Sequence, residues 1–253
     1  MKVFKRTVSA LATAAVVVCG LLYLPDYIVK GAVIALILLV QLEFSQMVAR
    51  KHPVMTWAGV AAGALFLVSK FYLYEAGLPL IIFGVALCAL FSKGERPVAA
   101  LATTLLGFVY IPLMLQYLVI IPEKFGMAML LYVIAIVKIS DMGGFAFGMA
   151  FGRHKMCPAI SPGKSWEGMA GSIFASCVVS CAFMPLTKFP PPKALLFGGA
   201  AAVVGTLGDL VESRMKRECG VKDSATFMPA GLGGFLDMFD SLVFAPAVLY
   251  FFI

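Results

Sequence analysis

Apolar residues in this chain come in long unbroken runs, separated by short polar clusters that carry most of the charge. A helix that crosses a bilayer needs about 20 apolar residues. Runs of that kind lie near 7–25, 27–49, 54–74, 77–92, 98–121, 125–151, 166–187, 193–213 and 235–253. The pattern predicts nine transmembrane helices, the fourth of them short. A transmembrane β-barrel would show segments of about ten residues with alternating polarity, and none occurs. The expected fold class is therefore an all-α polytopic membrane protein, with residues 1–253 as a single integral-membrane domain.

The first run follows Lys2, Lys5 and Arg6, as a signal peptide would. It is long and no clear cleavage site follows, so a retained helix is expected. With the N-terminus in the cytoplasm, 14 positive residues fall in cytoplasmic segments: Lys2, Lys5, Arg6, Arg50, Lys51, Lys93, Arg96, Arg153, Lys155, Lys164, Arg214, Lys216, Arg217 and Lys222. The opposite side holds only Lys30, Lys124, Lys188 and Lys193. Cytoplasmic loops are the Lys/Arg-rich ones, so this split predicts the N-terminus in the cytoplasm and the C-terminus on the opposite side.

Composition agrees with the pattern. Hydrophobic residues make up 62% of the chain and charged ones 13%, with mean hydropathy +0.99; soluble domains run about 45–50% and about 25%. The net charge of +7 is accounted for by membrane orientation and anionic head groups, and calls for no nucleic-acid partner. The six cysteines are scattered without CxxC spacing, and the two histidines, His52 and His154, are far apart. Neither a disulfide framework nor a Cys/His metal site is indicated.

Polar chemistry concentrates toward the C-terminus. Residues 1–121 read as helical scaffold and 122–253 as the half that carries the site. Asp209, Glu212, Ser213 and Lys216 follow i, i+3, i+4, i+7 spacing and share one helix face. Asp237, Asp240 and Ser241 repeat the i, i+3, i+4 part, so two helices each present D-x-x-[D/E]-S. Oxygen-only clusters suit a hard cation, and Mg²⁺ uses one or two carboxylates plus substrate phosphates; a helix-end charge network is the plainer alternative. Arg214, Lys216, Arg217 and Lys222 lie between the acids and suit phosphate, although ordinary positive-inside charge would place cations there too.

The segment HKMCPAISPGKSWEG (154–168) contains G-K-S but lacks the Gly that a P-loop needs, Pro158 standing there, and no strand is expected before it. Ser161, Gly163 and Lys164 precede a helix that opens near Ser165, where free N–H groups favour anions. Glu167 would be a first-turn acid or capping partner. Lys138 and Asp141 are spaced for an intramembrane ion pair, and Gly144, Gly148 and Gly152 for close helix packing. Glu43 is a lone acid in the second run, with no evident partner in the sequence.

These motifs resemble the CdsA-type phosphatidate cytidylyltransferases, or CDP-diacylglycerol synthases. The likeness rests on DMGGFAFGMAFGRHK (141–155), SPGKSWEG (161–168), Ser213 with Lys216, Arg217, Lys222 and Asp223, and AGLGGFLDMFD (230–240), about 100 residues in order. Leu232 and Met238 stand where that family usually has His and Arg. The resemblance implies transfer of a cytidylyl group from CTP to phosphatidate, with Mg²⁺ as cofactor and a monovalent cation as an allowed second ion.

Carried onto this sequence, the resemblance makes Asp209 and Asp237 the metal ligands, with Asp240, Asp223 and Lys222 as further catalytic residues. Ser161, Lys164, Ser213, Arg214, Lys216, Arg217 and Asp141 become substrate-binding residues. It implies a multi-pass protein of the cell inner membrane or plasma membrane; a homodimer is among the arrangements the chain allows. A CTP-dependent polyprenol kinase, an ion-coupled transporter and a non-catalytic relative are the rival readings.

Overall fold

The computed structural model describes residues 23–69, 77–91, 95–224 and 234–253. The first expected helix lies almost wholly outside them, as do Gly231, Leu232 and Gly233. The described helices are α1 (Asp26–Val48), α2 (Thr56–Ser69), α3 (Gly77–Leu90), α4 (Pro97–Phe108), α5 (Tyr117–Phe125), α6 (Met127–Phe151), α7 (Trp166–Ala182), α8 (Met184–Thr187), α9 (Pro191–Glu218), α10 (Phe235–Phe239) and α11 (Ala245–Tyr250). Among the described residues, four stretches are long and apolar enough to cross a membrane: α1, α4 through α5, α6 and α9. α2, α3 and α7 are shorter apolar helices. The chain is a helical membrane protein, with one small hairpin among the described residues.

The α4–α5 stretch stays continuous across Pro112, which has no N–H to give and would crowd the carbonyl four residues back. Residues Val109–Leu113 relieve this by widening into one π-helical turn. Gly126, at φ +85°, then turns the chain into α6 in a conformation that glycine adopts at no steric cost.

α6, α7 and α9 form the packed centre of the C-terminal half. Small residues bring α6 and α7 together as their spacing leads one to expect: a Cβ on Gly144 would strike the Ser172 hydroxyl, and one on Gly168 would lie 2.9 Å from the Gly144 carbonyl oxygen. Phe44, Phe108, Ile111, Tyr132, Phe197 and Leu236 are fully buried, so one apolar core joins α1, α4, α6, α9 and α10. Large apolar side chains on the outer faces, among them Phe145, Met149, Phe174 and Leu196, are exposed, as suits helices whose surroundings are hydrocarbon.

Three local expectations change. Between α6 and α7, β1 (Lys155–Cys157) and β2 (Ser161–Ser165) pair antiparallel, Lys155 opposite Ser165 and Cys157 opposite Ser161. A tight turn makes the hairpin possible: Pro158 follows Cys157, whose carbonyl accepts from Ile160 N–H at 3.1 Å. The eighth expected helix runs on past Ser213 to Glu218. An i,i+4 ion pair and the basic residues of its last turn favour this extension. The ninth expected helix is broken into α10, a 3₁₀ turn at Asp240–Leu242, and α11. Asp240 accepts from the N–H of Ser241 at 2.5 Å, a local bond that competes with the helical ladder, and Pro246 cannot continue that ladder.

Candidate active site

The C-terminal part of α9 presents Asp209, Glu212, Ser213 and Lys216 toward α10 and the 3₁₀ turn. The fit is close: a Cβ on Gly208 would lie 2.8 Å from the Asp240 carbonyl oxygen, so only glycine admits the turn there. The repeated D-x-x-[D/E]-S stretches meet crosswise. Carboxylate oxygens of Asp209, Glu212 and Asp240 lie within 4.8 Å of one another. Asp237 points elsewhere, accepting from Lys216 Nζ at 2.7 Å, from Gly234 N–H at 2.7 Å and from Ser224 N–H at 3.2 Å.

Two lysines interleave with these acids. Lys216 Nζ is 2.5 Å from Glu212 Oε2 and 2.7 Å from Asp237 Oδ1, tying α9 to α10. Lys164, on β2, reaches Asp209 Oδ2 at 2.5 Å and the Thr206 carbonyl at 3.3 Å, tying the hairpin to α9. Ser213 donates to Asp209 Oδ1 at 3.3 Å. Four carboxylates against two ammonium groups leave the cluster two positive charges short when all are ionised. Glu212 is fully buried, and its Oε1 has no hydrogen-bond partner among the described residues. Such oxygens in so small a space fit a hard divalent cation.

α6 braces the cluster from a third side. Asp141 Oδ2 accepts from the Ser241 hydroxyl at 2.7 Å and lies 3.7 Å from Lys138 Nζ. Lys138 donates to the Met238 carbonyl at 2.8 Å and the Ser241 hydroxyl at 3.2 Å. The pair expected from spacing is present, and its anchor is the turn that carries Asp240. At the hairpin's base, Glu167 accepts from the N–H groups of Arg153 and His154 at 3.2 Å and lies 2.6 Å from His154 Nδ1. Ser165 caps α7, its hydroxyl accepting from Gly168 N–H at 3.1 Å.

The other expected site residues lie on the hairpin and at or beyond the end of α9. Arg217 donates to the carbonyls of Ile160 at 3.4 Å and Val221 at 3.2 Å, which holds the hairpin tip against the end of α9. Ser161 opens β2, Arg214 is exposed on α9, and Lys222 and Asp223 are exposed beyond it. Among the described residues, none of these four forms a hydrogen bond or ion pair with the acid cluster. Glu212 was visible as a member of the α9 face but was not among the expected site residues. Its offset from Asp209, matching that of Asp240 from Asp237, was the available signal.

A family model described as "Cytidylyltransferase family" matches residues 4–253. The chain belongs to that family. Among similar proteins, the phosphatidate cytidylyltransferase of Haemophilus influenzae is 32% identical over 288 aligned residues, covering 98% of each chain. That of Bacillus subtilis is 37% identical over 150 residues, 58% of this chain and 55% of the relative. That of Staphylococcus aureus is 42% identical over 126 residues, 49% of this chain and 48% of the relative. The last two matches span about half the length of those relatives. In this member of the family the described acids that gather closely enough to share a divalent metal are Asp209, Glu212 and Asp240.

Proposed function

We propose that this chain transfers the cytidylyl group of CTP to phosphatidate, giving CDP-diacylglycerol and pyrophosphate. The observation that carries the reading is the acid–lysine cluster built between α9 and the α10 turn, in a chain of the cytidylyltransferase family. A phosphate oxygen of the lipid attacks the α-phosphorus of CTP. The bond from that phosphorus to the oxygen bridging to the β-phosphorus breaks, and pyrophosphate leaves with the electron pair. Such transfers depend on positioning and charge neutralisation more than on covalent help from the protein.

Asp209, Glu212 and Asp240 are the residues that would hold Mg²⁺, which supplies neutralisation of phosphate charge when bound. Lys164 and Lys216 hold phosphate oxygens, with Arg214, Arg217 and Lys222 forming an outer cationic rim. Asp237 orients Lys216, Asp141 fixes the turn through Ser241, and Ser161 and Ser213 donate hydrogen bonds. Asp223 belongs with Lys222 at the rim. The site faces the cytoplasm of a cell inner membrane, the N-terminus lies on that side, and nine helices cross.

The test is purified protein in detergent with phosphatidate, Mg²⁺ and CTP labelled at either the α- or the γ-phosphate. Label from the α-position, together with cytidine, is expected on the lipid. Label from the γ-position there would identify a kinase, and no lipid product would overturn both.

A further inference from the structure

Glu43 lies on α1, far from the acid cluster in sequence, and is fully buried. Its Oε2 accepts from Leu236 N–H at 2.8 Å. A Cβ on Gly234 would stand 2.5 and 2.6 Å from its two oxygens, so the carboxylate is seated against backbone where no side chain fits. α10, the element it grips, has five residues. One helical turn fixes many dihedrals for few hydrogen bonds and does not stand by itself, and its first N–H groups need outside acceptors.

Asp237 satisfies Gly234 N–H from within the turn, and Glu43 satisfies Leu236 N–H from the opposite half of the protein. Asp240 follows directly, at the start of the 3₁₀ turn. The position of its carboxylate beside Asp209 and Glu212 depends on where that turn is held.

We propose that Glu43 is a positioning residue for the acid cluster: through the Leu236 N–H and the Gly234 backbone it fixes the turn that presents Asp240. This rests on the cluster's reading as a divalent-metal site. Glu43 is not one of the three clustered acids; its Oε2 is committed to the opening turn of α10. What matters at this position is a hydrogen-bond acceptor of the right length. Glu43→Gln retains one; Glu43→Met fills the volume without one.

The test uses the full chain in detergent, with Mn²⁺ binding followed by EPR of the free ion and CDP-lipid formation measured in parallel. Glu43→Met is expected to weaken Mn²⁺ binding about tenfold and to raise the Mg²⁺ needed for half-maximal rate by a similar factor. Glu43→Gln is expected to stay within about threefold of wild type in both. In the wild type, amide hydrogen exchange over residues 234–242 is expected to be slow, which holds whether or not Glu43→Met folds.

Wild-type ion affinity in Glu43→Met, equal losses in the two variants, or exchange over 234–242 as fast as in a free peptide would each overturn the proposal. Mn²⁺ binding that shows the expected pattern without any CDP-lipid product would leave the positioning role standing and remove the proposed reaction instead.

Discussion

Lys164 Nζ lies 2.5 Å from Asp209 Oδ2, so a residue of the α6–α7 hairpin and one of α9 share a single ion pair at the mouth of the acid cluster. The contact joins two sequence motifs 45 positions apart and gives each a reason for its charge. Lys164→Ala is expected to lower kcat/KM for CTP by about a hundredfold, equivalent to about 2.7 kcal/mol. Lys164→Arg should recover little, because a planar fork does not replace a compact ammonium. Steady-state rates with both variants decide this, and an Ala variant within threefold of wild type would remove Lys164 from substrate binding.

Lys216 is the counter-charge for two acids, one of them fully buried. Removing one partner of a buried pair costs about 3–5 kcal/mol, whereas replacing the whole pair by apolar groups can be neutral. Lys216→Met should therefore lower the melting temperature in detergent sharply, and Lys216→Met with Glu212→Leu should restore much of it. Activity is expected to stay lost in both proteins. Equal melting of the single and double variants would show that an unpaired Glu212 carboxylate is not what destabilises Lys216→Met.

The cluster of Asp209, Glu212 and Asp240 gives a metal prediction. Chelation with EDTA should abolish CDP-lipid formation, and Mg²⁺ should restore it. Asp240→Asn should need at least tenfold more Mg²⁺ for half-maximal rate, while Asp223→Asn, exposed beyond α9, should need about the wild-type amount. A titration of rate against Mg²⁺ separates them, and parallel curves would remove Asp240 from the ion's surroundings.

Two adjacent glycines on α9 make a packing prediction. A Cβ on Gly198 would come 2.7–2.9 Å from the Cys177 and Ser176 backbone, while one on Gly199 would meet nothing within 4 Å. Gly198→Ala should destabilise by about 1–3 kcal/mol through forced backbone shifts. Gly199→Ala should be neutral or gain up to about 1 kcal/mol of helix propensity. Thermal unfolding of the two purified variants tests this, and similar melting would mean that α7 and α9 approach less closely.

How much of this was readable beforehand depends on what each residue is partnered with. Helix positions were legible because long apolar runs leave little alternative in a bilayer. Lys138 with Asp141, and Glu212 with Lys216, were legible because helical spacing places both partners on one face. The crosswise pairing of Asp209 with Asp240, and of Lys216 with Asp237, was not. It follows from the break after Phe239, which re-aims one carboxylate relative to the other. Glu43 was opaque for a simpler reason: its partner is a backbone N–H, which every residue but proline offers. The hairpin was missed because its strands are three and five residues long, too short for alternation to show.

The length of α9 has a consequence of its own. At about 1.5 Å per residue, its 28 residues make a rod about 42 Å long, set beside a hydrocarbon layer of about 30 Å. Counted from Pro191, Asp209 comes about 27 Å along that rod and Lys216 about 37 Å. Glu212 and Lys216 fall in the part of the helix beyond that thickness, and Asp209 stands about 3 Å short of it. α9 is thus a ruler as well as a wall: its apolar two-thirds measure out the lipid, and its charged remainder begins where water and head groups can solvate it. On the proposed function, the α9 carboxylates that look so expensive in a hydropathy profile would stand at the membrane's edge, within reach of both a nucleotide from the water and a lipid head group beside it.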